Sequence, residues 1–191
     1  MTSWNLRYFV AAVVAAAASV VWLGLGSLAQ AAQAAQAAQA TQATQAATAP
    51  APDSQPLFAA QFKDFDRQQQ PLAQFKGRPM LVYFWATWCK SCKQEVPELI
   101  ALHKKFGNKL SVVGIAVDNA DKVREFVQQN RINYPVLLGS NDAITLSKQL
   151  GNAVGGLPFA VVLDAQGHII KTLLGETAPG RFEELVRPLV N

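Results

Sequence analysis

The strongest constraint on this chain is a pair of cysteines, three positions apart, at the end of an apolar run. Cys89 and Cys92 are its two cysteines among 191 residues. They follow residues 80–86, a near-continuous apolar stretch typical of a strand buried on both faces. Residues 91–106 carry apolar side chains at helical spacing. A strand that delivers a Cys-x-x-Cys pair to the start of a helix favours a reactive dithiol, so the sequence predicts thiol–disulfide exchange.

Two structural roles for the cysteine pair are less consistent with the sequence. A disulfide between Cys89 and Cys92 would close a very short loop, which removes little entropy from the unfolded chain. About 139 residues follow residue 52, enough for a full hydrophobic core without a covalent staple. A zinc site usually needs four ligands, and neither His103 nor His168 has ligand spacing to the pair. No metal site is predicted.

Residues 1–29 have the features of a signal anchor. Arg7 precedes 22 uncharged, mostly apolar residues, 8–29. A membrane-spanning helix needs about 20 such residues, whereas the core of a signal peptide has about 7–15. We therefore expect an uncleaved transmembrane anchor, although Ala29-Gln30-Ala31 also fits a signal-peptide cleavage site. Arg7 on the short N-terminal side predicts that the rest of the chain faces the extracytoplasmic side.

Residues 30–56 are predicted to be a low-complexity linker, followed by one folded domain at residues 57–191. Glutamine recurs at every third position from Gln30 to Gln45, a period that forms no apolar stripe along a helix. All 13 acidic residues and 16 of the 17 basic residues lie beyond residue 52. The basic residues are dispersed, which argues against a nucleic-acid surface.

The domain alternates predicted strands with predicted helices. Residues 57–62 and 71–75 are predicted to be short strands or a hairpin that leads into the domain. The other predicted strands cover residues 80–86, 110–117, 134–138, 159–163 and 168–174. The predicted helices cover residues 91–106, a segment capped by Asp118 or Asn119 and ending at Asn130, residues 142–150 and residues 179–190. This order is typical of an α/β sheet layered by helices, with an antiparallel end.

Three segments resemble the TlpA/ResA/CcmG group of membrane-anchored thioredoxin-like proteins. Residues 84–97 carry the motif F-W-A-T-W-C-x-x-C-x-x-E-x-P, similar to the active-site signature of that group. Gly156-Leu157-Pro158 and the strand after it resemble its second motif, and residues 113–138 resemble its additional αβ insertion. The resemblance implies a thioredoxin-like fold, with a central mixed β-sheet flanked by helices, an N-terminal β extension and this insertion.

The predicted reaction uses both cysteines. Cys89 is the expected nucleophile, because a helix N-terminus favours the thiolate, and Cys92 is the expected resolving thiol. Lys90 either adds positive charge to the site or is solvated, and Ser91 stands where many relatives have proline. Because this dipeptide strongly affects redox poise, the direction of electron flow stays open at this point.

The resemblance implies further site residues. An acid at the position of Glu95 takes part in proton transfers of the cysteines in this group, and Tyr83 stands where many thioredoxins have a buried aspartate. Trp88 is expected to cover one side of the site. Pro158 is expected to be cis and to face the dithiol, with Leu157 offering backbone groups to an extended substrate.

These expectations combine into a membrane-tethered, extracytoplasmic thiol–disulfide oxidoreductase that needs no cofactor beyond its own disulfide. We expect a reductant of envelope proteins, for example of an apocytochrome c before haem attachment, supplied with electrons by a transmembrane thiol reductase of the DsbD or CcdA type. One alternative is an oxidase or isomerase of the Dsb type. The other is a copper metallochaperone of the Sco type that would use the two cysteines and His168.

Overall fold

The computed structural model describes residues 53–190, so the predicted anchor and most of the predicted linker lie outside the described residues. None of the helices between residues 53 and 190 has the length and apolarity to cross a membrane. The strands are β1 (Gln61–Lys63), β2 (Gln69–Pro71), β3 (Met80–Trp85), β4 (Ser111–Val117), β5 (Val136–Gly139), β6 (Phe159–Leu163) and β7 (Ile169–Leu174). The α-helices are α1 (Gln55–Ala59), α2 (Lys90–Phe106), α3 (Ala120–Gln129), α4 (Asn141–Gln149) and α5 (Arg181–Val186).

The strands form one mixed sheet in the order β2-β1-β5-β4-β3-β6-β7. Strands β3, β4 and β5 are parallel to one another, whereas β6 runs antiparallel to β3 and pairs with β7 in a hairpin. At the other end, β1 pairs antiparallel with β2 and with β5. The predicted α/β thioredoxin-like fold is confirmed, and α3 with β5 occupies the position of the predicted αβ insertion.

The central strand is apolar throughout because both of its faces are covered. The odd-numbered residues of β3, from Leu81 to Trp85, lie in a core cluster with residues of α2 and α5. The even-numbered residues, from Met80 to Phe84, lie in a second cluster with residues of α1 and α4. A strand buried on both faces cannot alternate apolar with polar side chains, which explains the continuous apolar run before the cysteines.

The prediction of a strand at residues 57–62 is mostly wrong, although a hairpin of β1 and β2 does lead into the sheet. Residues Gln55–Ala59 form α1, where Pro56 suits the first helical turn and Leu57 is fully buried, and the strand begins only at Gln61. The predicted strand at residues 71–75 is also mostly wrong, because Leu72–Phe75 is a 3-10 helix. A helical turn in each segment lets Leu57 and Leu72 enter the same core cluster.

The predicted C-terminal helix is shorter than expected. The α-helix covers Arg181–Val186 and continues as a 3-10 turn at Arg187–Leu189. Pro188 has no backbone N–H, so it cannot extend the α-helical hydrogen-bond ladder. The other predicted helices and strands are present, with their ends shifted by at most two residues.

Candidate active site

The two cysteines lie at the N-terminus of α2, directly beyond the end of β3. Cys89 is the N-cap residue, and its Sγ accepts a hydrogen bond from the backbone N–H of Cys92 at 3.2 Å. The two sulfurs are joined in a disulfide, with Cα atoms 5.2 Å apart. Cys89 is 6% exposed, whereas Cys92 is fully buried. Of the two cysteines, Cys89 alone keeps any exposure, and it lies at the helix terminus where the dipole favours a negative charge.

The loop between β3 and Cys89 is held by a carboxylate at the end of β4. Oδ2 of Asp118 accepts hydrogen bonds from the backbone N–H of Thr87, at 3.0 Å, and from the Thr87 hydroxyl. Burial alone would raise the pKa of Asp118, but the hydrogen bonds from Thr87 and Asn119 outweigh it and lower that pKa. Of the two caps proposed from the sequence, Asn119 caps α3, so Asp118 is free to anchor the active-site loop.

Glu95 lies one turn beyond Cys92, and its buried carboxylate, 5% exposed, accepts three hydrogen bonds. The hydroxyl of Tyr83 donates to Oε2 at 2.6 Å. The backbone N–H and the hydroxyl of Thr177 donate to Oε1 at 2.7 and 2.8 Å. No lysine, arginine or histidine forms an ion pair with Glu95 within residues 53–190. The carboxylate is therefore held entirely by neutral donors.

Tyr83 connects this carboxylate to the cysteine-bearing turn. Its hydroxyl also lies 3.4 Å from the carbonyl oxygen of Cys92, which can accept a hydrogen bond from it. Burial raises the pKa of Tyr83, and the hydrogen bond to Glu95 raises that pKa further, so the phenol stays protonated. The sequence marked Tyr83 as the site of a missing aspartate, but it gave no sign of the contact with Glu95 or of Thr177.

The segment after β7 is also joined to α2 by hydrogen bonds to the carboxylate of Glu98. Oε1 of Glu98 accepts the backbone N–H groups of Phe182 and Glu183 at 3.1 and 3.4 Å, and Oε2 accepts that of Gly180 at 3.2 Å. Gly180 is the N-cap residue of α5 and has no side chain with which to cap it. Glu98 therefore supplies the acceptors that the start of α5 lacks.

The other residues predicted around the cysteines differ in exposure. Trp88 is 68% exposed, and Lys90 is exposed on the first turn of α2. The hydroxyl of Ser91 lies 3.6 Å from Sγ of Cys89. Trp85 is instead buried and packs on Phe126 with ring centroids 5.3 Å apart. Trp88, Lys90 and Ser91 are thus available at the surface beside Cys89.

The Leu157–Pro158 peptide bond is cis. Pro158 is buried, and half-buried Leu157 packs against the core cluster that contains both cysteines. The fully buried side chain of Asn152 shapes the preceding loop, because it accepts the N–H of Gly156 at 3.1 Å and donates to its carbonyl at 2.9 Å. Sequence reasoning missed this role of Asn152, although a Gly-Asn dipeptide, with a Gly-Gly pair three positions after the asparagine, is a turn signal that could have found it.

The histidine proposed for a copper site does not join the cysteines. Nδ1 of His168 lies 2.9 Å from Oδ2 of Asp164, in the turn between β6 and β7, and His168 is exposed. Within residues 53–190, no group of three or more histidine, cysteine, aspartate or glutamate residues could hold a metal ion. The arrangement around Cys89 and Cys92 contains a disulfide, a buried carboxylate and hydroxyl donors, which suit sulfur exchange and proton transfer.

Comparisons with known proteins agree with this chemistry. Residues 49–172 match the AhpC/TSA family. The thiol-disulfide oxidoreductase ResA of Bacillus thuringiensis is 30% identical over 128 residues, which cover 66% of this chain and 72% of ResA. The thiol:disulfide interchange protein DsbE of Pseudomonas aeruginosa is 36% identical over 118 residues, covering 61% of this chain and 62% of DsbE.

Among solved structures, a thiol:disulfide interchange protein of the thioredoxin family from Chlorobium tepidum superposes with a TM-score of 0.62 and 26% identity. The match covers 73% of this chain and 99% of that chain. The resemblance to the TlpA/ResA/CcmG group is thereby confirmed, and so is a redox-active Cys89–Cys92 pair. The chain belongs to the AhpC/TSA family, as a thioredoxin-like thiol–disulfide oxidoreductase related to ResA and DsbE.

Proposed function

We propose that this oxidoreductase reduces disulfides of extracytoplasmic envelope proteins, with Cys89 as the attacking thiol. The observation that carries the assignment of Cys89 is the difference in burial between the two cysteines at the start of α2. Cys89 retains some exposure and caps the helix, whereas Cys92 is fully buried behind it. A protein disulfide can therefore approach Cys89 but not Cys92, and the helix N-terminus stabilises the thiolate that attacks.

The reaction consists of two exchanges. The Cys89 thiolate attacks one sulfur of the substrate disulfide, which forms a mixed disulfide and expels the other substrate sulfur as a thiolate that takes up a proton. Cys92 then loses its proton and attacks Sγ of Cys89. This step forms the Cys89–Cys92 disulfide and expels the second substrate thiolate. The substrate gains two electrons, the protein loses two, and the protein ends in the oxidised form described above.

Glu95 is the proposed acceptor of the Cys92 proton. Its buried carboxylate lies one helical turn beyond Cys92, which puts the two side chains on neighbouring positions of one helix face. Trp88, Lys90, Ser91, Leu157 and Pro158 are the proposed contacts for the substrate, because they lie in the segments that flank the cysteines and the cis peptide bond.

The proposed partners follow from the electron balance and from the N-terminal segment. Each turnover leaves an oxidised pair, so a dithiol donor such as a transmembrane thiol reductase of the DsbD or CcdA type has to return two electrons. The cysteine pair of an apocytochrome c is the substrate that the sequence resemblance favours. The apolar segment at residues 8–29 supports a membrane tether with the domain on the extracytoplasmic side.

The direction of electron flow is tested by the reduction potential of the Cys89/Cys92 couple. Full-length protein in mild detergent is equilibrated with defined thiol buffers, and the free thiols are trapped by alkylation. A potential near or below that of thioredoxin, about −270 mV, is expected for a reductant that needs an electron feed. A potential near about −120 mV, as in DsbA, would contradict the proposal and favour a Dsb-type oxidase.

The assignment of Cys89 is tested by a matched pair of variants. Reduced Cys92→Ser protein is expected to trap a stable mixed disulfide with a model protein disulfide, because no second thiol can resolve it. Cys89→Ser is the control and is expected to trap none, because Cys92 is fully buried. Trapping by Cys89→Ser alone would reverse the two roles.

A further inference from the structure

The start of α2 carries charges of the sign that a helix N-terminus disfavours. Lys90 is the first residue of α2 and Lys93 is the fourth, and the first turn contains no acid. The partial positive charge of a helix N-terminus favours acids and repels cations. Each of α3, α4 and α5 has an acid in its first turn, and α2 itself has three basic residues in its last turn, where the dipole favours them. The charge at the start of α2 is therefore opposite to that of these three helices.

Lys90 and Lys93 are also unfavourable to each other. Residues three apart are neighbours on a helix surface, so the two ammonium groups repel. Both side chains are exposed, and neither forms an ion pair with an acid of residues 53–190. The two lysines therefore lower the stability of the helix start, and no ion pair in this part of the chain offsets that effect.

The two lysines lie beside the cysteine that forms the proposed mixed disulfide. Lys90 directly follows Cys89, and the backbone N–H of Lys93 donates to the carbonyl oxygen of Cys89 at 3.2 Å. Lys93 is thus one helical turn beyond Cys89. A polypeptide that is joined to Cys89 by a disulfide therefore lies against the turn that carries both ammonium groups.

The acids that lie around the cysteines do not pair with these lysines. Glu95 is buried, and Asp118 accepts hydrogen bonds within its own loop region. Glu176 is exposed, but it follows Gly175, whose backbone N–H donates to the carbonyl oxygen of Pro158 at 2.9 Å. Glu176 therefore lies on the side of the cis peptide bond, and the first turn of α2 keeps its positive charge.

We propose that Lys90 and Lys93 select substrates whose target disulfide is flanked by aspartate or glutamate. The inference rests on the proposed function, because it concerns the segment that Cys89 attacks. Acids in that segment are attracted to the two lysines during the encounter and pair with them in the mixed disulfide. Recognition of a partner explains why the helix begins with charges that are unfavourable for its own stability.

Two synthetic peptides with the same internal disulfide provide the test. One peptide has a glutamate on each side of the disulfide, and the other has a lysine at the same positions. Reduced full-length protein in mild detergent is mixed with each peptide at neutral pH, and the rate constant is measured by acid quench and chromatography. Flanking charges also change the intrinsic reactivity of a disulfide. Each rate constant is therefore divided by the one measured with 2-mercaptoethanol, a small thiol that also attacks as its thiolate.

The normalised rate constant of the wild type is expected to be about tenfold higher for the glutamate peptide at low ionic strength, or about threefold per lysine. The preference should disappear in about 0.5 M NaCl, because salt screens exposed charges. Lys90→Gln/Lys93→Gln should abolish the preference without lowering Tm, because it removes repulsion at the helix start. Lys104→Gln is the matched control and should keep the preference. Lys104 is exposed in the last turn of α2, about 21 Å from Lys90 along the helix.

A preference that persists in Lys90→Gln/Lys93→Gln would overturn the proposal, and so would an equal loss in Lys104→Gln. An equal slowing with both peptides would also overturn it, because the lysines would then act on the Cys89 thiolate and not on the choice of substrate. Charge reversal in Lys90→Glu/Lys93→Glu should favour the lysine peptide, and a retained preference for the glutamate peptide would contradict the proposal. Failure of the wild type to reduce either peptide would instead refute the proposed function itself.

Discussion

The hydrogen bonds between Thr87 and Asp118 allow a quantitative test of how the active-site loop is held. In Asp118→Asn, one acceptor oxygen is replaced by an NH2 group. The wild-type carboxylate uses both oxygens, because Oδ2 accepts from Thr87 and Oδ1 accepts from the N–H of Asn119 at 2.7 Å. The amide oxygen can accept from Thr87 or from Asn119 but not from both, so the NH2 group has to face the backbone N–H of the other residue.

The expected cost follows from the number and the exposure of these bonds. A hydrogen bond to a charged group contributes about 1.5–3 kcal/mol, and an unpaired buried donor costs about 1–3 kcal/mol. Asp118 is half-buried, so water can compensate part of the loss. We expect Asp118→Asn to lower the free energy of unfolding by about 2 kcal/mol. In a domain of this size, that corresponds to a fall in Tm of about 6–8 °C.

The pH dependence of this loss has a definite sign. Hydrogen bonds lower the pKa of Asp118 in the folded protein below its ordinary value of 3.8. Its contribution is therefore fully present above that value and is lost as the pH falls through the lower, folded-state pKa. The stabilities of the wild type and of Asp118→Asn should converge in acid and differ most above about pH 5.

The assay is urea unfolding of the full-length protein, with Asp66→Asn as the control. Asp66 is exposed, and its carboxylate accepts no hydrogen bond from the described residues. A double-mutant cycle with Thr87→Val isolates the hydroxyl contact, for which we expect a coupling of about 1 kcal/mol. Additive effects within about 0.5 kcal/mol, or equal losses in Asp118→Asn and Asp66→Asn, would refute this account of the loop.

Two further predictions concern stability. Glu98→Ala removes the acceptors for the N–H groups of Gly180 and Phe182, so thermal unfolding should show that the free energy of unfolding falls by about 1–2 kcal/mol. Glu184→Ala is the control, because it removes only an exposed ion pair, and it should not cause this loss. Burial, and then the charge of Arg78, lower the pKa of His103 below 6.5. The stability that comes from burying neutral His103 is therefore fully present above pH 6.5 and is lost as the pH falls through the lower, folded-state pKa. In His103→Gln, the free energy of unfolding should depend less on pH in this range.

The parts of the fold that were predicted from sequence are those with strong local signals. Strands β3 and β4 are buried apolar runs, and α2 has an apolar face that begins beside Cys89. The segment at residues 57–62 lacked such a signal, because its short apolar run fits either a strand or a helical turn. Contact with α4 and with the Leu72 turn decides in favour of the helix, and such contacts cannot be derived from local spacing.

In the candidate site, too, the features that were predicted from the sequence are those with local signals. The cysteine pair, the helix start and the cis peptide bond were expected from motifs that span a few residues. The contacts of Glu95 with Thr177 and of Thr87 with Asp118 join residues that are 82 and 31 positions apart. No propensity or periodicity relates such positions, so only the packing of the loop after β7 on α2, and of β3 beside β4, brings them together.

The hydrogen-bond partners of Glu95 are consistent with its proposed role as the acceptor of the Cys92 proton. Burial of a carboxylate is unfavourable, and many buried carboxylates are compensated by a lysine or an arginine. Such a partner would favour the charged form and oppose protonation. Here, within residues 53–190, Glu95 is held by neutral donors, which fix the geometry of its two oxygens without adding a positive charge. This arrangement suits the proposed acceptor of the Cys92 proton, because no fixed positive charge beside the carboxylate opposes its protonation.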